Sequence, residues 1–479
     1  MEAIIKLPTI TNFLFGLLIF QSTPDEVLNE ALSCLTVLSE DNKPLCEQIS
    51  KKQEWLNVLD KMKDSGDLKS VVACGVLHNV FITLKWYDHN TPVQGASDAT
   101  LLPILVEAID TPITSNGTNG SLGNSTPDQI LQLALEITAS IATSLQEALE
   151  HGSKHEKPFE GFEEAAEELD EGEDTKMDED EASDVEGSQN DESDDELTQE
   201  MEADMERVTA FDSEAEEEEI QEVTLDRLVR TIAPKLIPLA SDTKSAAHAP
   251  ALSALNNIAW TIGSIDFSTG HLRSLQKFWS SLAQKAWISI ISPVLASNTA
   301  DIDLASTITS LAWAIARSVK GVVQIASEEQ RKFMALYQAS KSLSTSESES
   351  DAFQSLGVKS IGVLGCLALD PAPIALNREI GVFLITTLSA LPETPAADAI
   401  EALNAIFDIY ADKSYEADEP VFWGDGYYKH LEEVQPKIKK MAKGIDKRKF
   451  EELRARSDEV VLNLARFLVY KRKEKEGKA

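Results

Sequence analysis

Cysteine is scarce: Cys34, Cys46, Cys74 and Cys366 are the only four in 479 residues. None forms a C-x-x-C pair or a Cys/His set at metal-ligand spacing, which argues against a disulfide framework or zinc site and fits a reducing compartment. Cys34, Cys74 and Cys366 lie on apolar helical stripes and are read as small core residues. Positive charge is also short, with 43 Lys and Arg against 81 Asp and Glu, a formal charge of −38. Phosphate repels so acidic a surface, so direct nucleic-acid binding is not expected; basic proteins are the favoured partners. Long apolar runs are missing. Leu7 to Phe20 is too short to cross a bilayer, Lys6 beside it is balanced by Glu2, and no small-residue cleavage site follows. It is read as a packed helix, and no membrane role is expected. The Asn-x-Ser/Thr matches at Asn116, Asn119 and Asn124 are therefore composition, not glycosylation sites.

Catalytic signatures are absent too. The chain holds no phosphate-cradling Gly loop, no H-E-x-x-H and no G-x-S-x-G. Its seven His are scattered. His78, beside Asn79 on an apolar helix, is more simply a satisfied core or groove histidine than a base. No enzyme, cofactor or metal site is expected.

What the chain does have is one extreme stretch. Glu160 to Glu222 carries 31 Asp and Glu against Lys176 and Arg207 alone. Such a segment cannot bury enough apolar surface to offset its chain entropy, and it is expected to be a disordered loop. Normal composition returns on both sides, so it reads as an insertion in a folded body. A flexible chain of this length spans about 45 Å r.m.s., and its charge extends it further. Within it Leu197, Met201, Met205 and Val208 share one helical face, which predicts a short amphipathic helix over 197–208.

Repetition dominates the rest. Thr23-Pro24-Asp25-Glu26 and Thr126-Pro127-Asp128-Gln129 read as capping boxes with Thr at the cap and Pro first in the helix; Thr394-Pro395 opens a third helix without the box. The bodies Ala31–Leu38, Val71–Val80, Ala251–Trp260, Thr309–Ala316, Val358–Gly365 and Ala402–Phe407 interleave small residues with Leu, Ile and Val. Small residues let helices approach closely and large ones fill the gaps. Nearly apolar helices recurring in this way, with amphipathic ones between them and few strand signals, predict an all-α armadillo/HEAT-repeat solenoid interrupted by the acidic loop.

The expected organisation is an N-terminal solenoid part over 1–149 with a flexible loop at 110–125, then the acidic insertion over 150–222. A C-terminal solenoid part covers 223–470, and a basic tail 471–479 holds Lys471-Arg472-Lys473-Glu474-Lys475 as a solvated helix end. The chain opens on apolar residues without a capping repeat, as if it starts inside its solenoid.

In armadillo-type stacks the inner helices line a concave groove, where Asn can pair with an extended peptide backbone and Trp offers flat walls. The candidates are Asn79, Asn256, Asn257, Trp260, Trp313 and Asn404, with Trp86 at a helix end and Arg317 one turn after Trp313. The competing reading makes the Trp core filler and the Asn braces between repeats. In the acidic loop Glu202, Asp204, Glu206, Glu216, Glu217, Glu218 and Glu219 are candidate contacts for basic cargo.

Several strings resemble the symportins, fungal adaptors for synchronised import of ribosomal proteins. They are Ser33–Asn42, Ala73–Phe81 with Trp86 and Asp88-His89, Glu202–Val208, Ala251–Ile258, Asp370–Ile374, Asn377-Arg378-Glu379, Val421-Phe422-Trp423 and Lys443–Arg448. The match runs in order from about Thr23 onward. It implies a solenoid that carries the two basic large-subunit ribosomal proteins of the 5S rRNA group into the nucleus, shuttling between cytoplasm and nucleus, and that chaperones them during 5S particle assembly. It also implies a karyopherin-β receptor, although the basic Pro-Tyr-type arm the family uses for that contact is missing here. From residues alone, a general histone-type acidic chaperone stays open beside this, and a HEAT-repeat regulatory scaffold is a third possibility.

Overall fold

The computed structural model describes residues 8–93, 95–110, 127–152, 223–267, 272–297, 301–343 and 352–477. Met1–Lys154 with Glu222–Tyr427 forms one compact unit; Tyr428–Ala479 falls with His155–Gln221 in a second. The described residues are helical, without strands, and build the expected all-α repeat solenoid.

In the first unit the chain runs through α1 (Pro8–Ile19), α2 (Asp25–Ser39), α3 (Lys43–Lys51), α4 (Gln53–Lys63) and α5 (Leu68–Leu84). Then come α6 (Leu102–Asp110), α7 (Pro127–Gly152), α8 (223–241) and α9 (His248–Gly263). Next are α10 (273–297), α11 (Ile302–Val319), α12 (Glu329–Leu343), α13 (Leu356–Leu367), α14 (Ile374–Ser389) and α15 (Ala396–Ile409). One row of neighbours threads the unit: α2, α5, α7, α9, α11, α13 and α15 each pack on the next. From α6 on, each even-numbered helix packs on the row helix that follows it. All six apolar bodies read from the sequence lie in this row. Such helices are buried nearly all round because both neighbours and an outer helix cover them. In α5 every residue from Ser70 to His78 is buried.

Side-chain caps start several helices: Asp67 on α5, Asp301 on α11 and Ser355 on α13 each accept a first-turn backbone N–H. The Thr-Pro boxes do not work as expected. Pro24 and Pro395 are themselves the cap residues, with extended ψ of 147°, and make no capping bond. The Thr hydroxyls point backward instead. Thr23 Oγ1 donates to Leu17 O at 2.8 Å and Thr394 Oγ1 to Thr387 O at 2.6 Å, tying the new helix to the carbonyl end of the preceding one. Thr126 lies outside the described residues.

The outer helices α8 and α10 share a further device. Each contains a π-turn, Leu228–Ile232 and Trp287–Ile291, that ends just before Ala233-Pro234 and Ser292-Pro293. Proline lacks an N–H and crowds the carbonyl four residues back, so the shifted register accommodates it.

The two stretches of the first unit join directly. Row helix α7 packs on α9, although residues 153–247, including α8, separate them in the chain. Asp88 accepts from Thr224 N at 2.7 Å and Thr224 Oγ1 at 3.0 Å; Lys235 pairs with Asp110 at 2.7 Å; and Arg227 donates to the Ala99 carbonyl. The acidic stretch, with the helix expected over 197–208 and the candidate carboxylates, and most of the 110–125 loop lie outside the described residues.

Two sequence expectations need correction. Cys34 is exposed: the buried stripe of α2 is Ala31, Leu32, Leu35 and Ser39, and position 34 falls beside it. Cys46 and Cys74 are buried and Cys366 half-buried. The basic run at 471–475 is the last turn of α17 (Glu451–Lys475); Arg472 and Lys475 are exposed there, but Lys471 is 0% exposed and pairs with Glu474 at 2.7 Å. Its companion α16 (Tyr427–Gly444) buries Leu431, Val434, Ile438 and Ala442 along one face.

Candidate functional site

The candidate Asn and Trp residues sit on the row helices, and the structure sorts them. Asn79 on α5 donates through Nδ2 to Thr36 O at 2.9 Å and Ser39 Oγ at 3.1 Å, both on α2. Asn257 on α9 donates to Ala139 O at 3.2 Å and Thr143 Oγ1 at 2.9 Å on α7. Asn256 accepts from Ser310 Oγ of α11 at 3.2 Å. All three bond to neighbouring row helices and so brace the stack. Thr261 adds a fourth brace, donating to Ala142 O at 2.9 Å. Trp86 stands apart, stacked on Phe81 at 6.1 Å just beyond the end of α5.

Trp260, Trp313 and Arg317 form one cluster. The indoles of α9 and α11 meet edge to face at 5.3 Å, and the Arg317 guanidinium lies 5.5 Å from the Trp260 ring centroid. Glycines make the seats. A methyl group on Gly362 would run into Cε2 of Trp313, with Cζ2 and Nε1 at 2.6 Å, so the indole lies directly against the α13 backbone. One on Gly263 would touch the Arg317 stem at 3.5 Å. Both rings are half-buried and Arg317 is exposed, which leaves an aromatic edge and a cation open to a partner.

The face continues across α13 and α15 with residues that pattern reading missed. Lys359 donates to Ser306 Oγ at 3.2 Å, and burial pulls its ammonium pKa down. Cys366 lies beside Trp313, and burial pushes its thiol up to about 12. Glu401 and Asp408 of α15 push the same thiol upward through their charge. Asn404 is exposed on α15 and makes no hydrogen bond among the described residues. The sequence signal for this part was the spacing of Gly357, Gly362 and Gly365, which marks a helix that its neighbours approach closely. Backbone contact, aromatic stacking and both signs of charge are thus available along four adjacent helices.

His78 occupies a different place. It is 2% exposed, with Nδ1 2.9 Å from Asp98 Oδ1 and Nε2 2.9 Å from Ser140 Oγ. The order resembles a hydrolytic triad, yet Ser140 lies mid-helix in α7, where backbone N–H groups are donated to carbonyls one turn back. Those groups do not converge on an oxyanion position. The set ties α5, the 98–100 turn and α7 together, in keeping with a satisfied core histidine.

Comparison with known proteins places this arrangement. A family model described as SYO1-like, TPR repeats matches residues 238–475. Symportin 1 of Chaetomium thermophilum is 42% identical over 98% of this chain and 74% of its own length. The armadillo repeat protein involved in nucleocytoplasmic transport Syo2 of Schizosaccharomyces pombe is 36% identical over 35% of this chain and 24% of its own. Synchronized import protein 1 of Saccharomyces cerevisiae is 38% identical over 24% and 19%. Among solved structures, an engineered protein aligns over 96% of this chain at 15% identity with a TM-score of 0.39, too low to carry an argument. The helical row, its braces and a match over almost the whole length agree: the chain belongs to the SYO1-like, or symportin, family of helical-repeat proteins.

Proposed function

We propose that this chain is a non-catalytic adaptor and chaperone for the two basic large-subunit ribosomal proteins of the 5S rRNA group. It shuttles between cytoplasm and nucleus with a karyopherin-β receptor as carrier. The observation that carries the reading is the pairing of two surfaces in one family member: the open Trp260–Trp313–Arg317 face with Asn404, and 31 carboxylates gathered in Glu160–Glu222. The face holds an extended cargo segment. The acids stand in for phosphate on cargo surfaces that later meet rRNA, and their contribution weakens with salt because exposed charges are screened beyond about 8–10 Å.

Affinity purification of the full chain with mass spectrometry of its partners tests this. The expected result is recovery of the two ribosomal proteins, reduced by Trp313→Ala and, at low salt, by removal of 160–222. Charge segregation alone favours a second reading, a histone-type chaperone in which the solenoid only presents the loop. Equal capture of histones, unaffected by Trp313→Ala, would establish that reading and overturn ours.

A further inference from the structure

The chain's charge is segregated a second time. Residues 437–449 hold seven Lys and Arg against Asp446 alone. Lys439, Lys440 and Lys443 lie in the last turns of α16, and Lys447, Arg448 and Lys449 in the connection to α17. All six are exposed, and none forms an ion pair among the described residues. The helix dipole accounts for cations in the final turn of α16 but not for three more beyond it. Asp446, the one acid, is engaged in shaping the turn and accepts from Arg448 N at 2.8 Å. Phe450 follows, 47% exposed, with the Lys449 ammonium 5.0 Å from its ring centroid. In a chain of charge −38 this is a concentrated, unneutralised basic surface.

We infer that the occupant of this surface is the chain's own acidic segment, Glu160–Glu222. The complementarity is large, 31 acids with two basic residues against a patch of six exposed cations. The segment is tethered at both ends to described helices, α7 and α8. A tether makes the encounter intramolecular, at an effective concentration on the order of millimolar. A free polyanion such as RNA must compete with that while also approaching a strongly negative chain. Where the function proposed above holds, cargo meets an acidic segment already partly neutralised and must displace α16 from it. The patch then discriminates against weakly basic proteins.

Zero-length carbodiimide cross-linking of the full chain, read by mass spectrometry, tests the pairing without any cargo. At about 50 mM salt, links from Lys439, Lys440, Lys443 or Lys447 to acids within 160–222 are expected, falling at least about fivefold at about 500 mM. A mixture of isotopically light and heavy protein separates links within one chain from links between chains. The variant Lys439→Glu/Lys440→Glu should also weaken the links from Lys443 and Lys447, which keep their amines, with unchanged helicity. A second variant, with the acids at 214 and 216–219 made Gln, should reduce them without altering any described residue. A short RNA oligonucleotide should bind the chain lacking 160–222 and not the intact chain. Absent links, links only between chains, or equal RNA binding by both forms overturns the inference, the last making the patch an RNA surface. None of these outcomes depends on ribosomal-protein capture, so failure here is distinct from failure of the proposed function.

Discussion

Gly362→Ala is a small change whose sign depends on one neighbour. In a helix interior Ala is favoured over Gly by about 1 kcal/mol. At Gly362, however, the new methyl would run into Cε2 of the Trp313 indole, with Cζ2 and Nε1 at 2.6 Å, and that indole is itself held against Trp260. Forcing a methyl into such a contact costs about 1–3 kcal/mol. The net expectation is a loss of about 0–2 kcal/mol with Trp313 present and a gain of about 1 kcal/mol in a Trp313→Ala background. The double-mutant coupling is then about 1–3 kcal/mol. Because a repeat stack need not unfold in one step, a local probe is better than global melting. Cys366 supplies one. Its thiol, raised to about 12 by burial beside Trp313, should react with a thiol reagent near pH 8 roughly a hundredfold more slowly than an ordinary exposed cysteine. Measured in a Cys34→Ser background, Gly362→Ala should speed Cys366 labelling by about tenfold as the indole lifts. Unchanged labelling, with the protein stabilised by the full helix-propensity gain while Trp313 is present, would refute the packing argument.

Other perturbations separate structure from binding. Asp398 is 4% exposed on α15, and burial pushes its carboxyl up to about 6. Its folded pKa thus exceeds the unfolded value near 3.9, so the native state holds the extra proton and stability falls as pH rises through that window. Asp398→Asn should therefore stabilise the protein at pH 7.5, by at most about 3 kcal/mol, with the gain vanishing near pH 4; denaturant midpoints at both pH values check this. Asn257→Ala removes both amide bonds from α9 to α7 and should cost about 1–2 kcal/mol, read as faster amide exchange in those helices. Asn404→Ala should change stability by less than about 0.5 kcal/mol and instead weaken capture of a basic cargo peptide, measured by titration calorimetry. If Asn257→Ala and Asn404→Ala act alike, the division into braces and contacts is wrong.

The fold was largely legible because the row helices carry an unusual composition. A helix covered on both sides must alternate small and large apolar residues, and the six bodies that do so all lie in the row. Row helix α7 is not one of those bodies: Glu136, Ser140, Thr143 and Glu147 give it an exposed polar face, and its Thr-Pro start and the apolar-periodic run after it marked it instead. The Thr-Pro motif marked helix boundaries correctly while misassigning the hydroxyl, because spacing along the chain does not reveal the carbonyl of the preceding helix. Cys34 and Lys471 were misplaced for a related reason: one position along a helix turns a side chain by about 100°, and the register of burial depends on which neighbours arrive.

Composition and periodicity determined by themselves that this is a helical-repeat protein with a concentrated anionic segment, since both properties are local and repeat along the chain. Tertiary structure alone decided that α7 meets α9 across the insertion, that Asn79, Asn256 and Asn257 bond to neighbouring row helices, and that Trp260, Trp313 and Arg317 converge. Those facts depend on contacts between residues far apart in sequence, and periodicity within one helix carries no information about the register of the next.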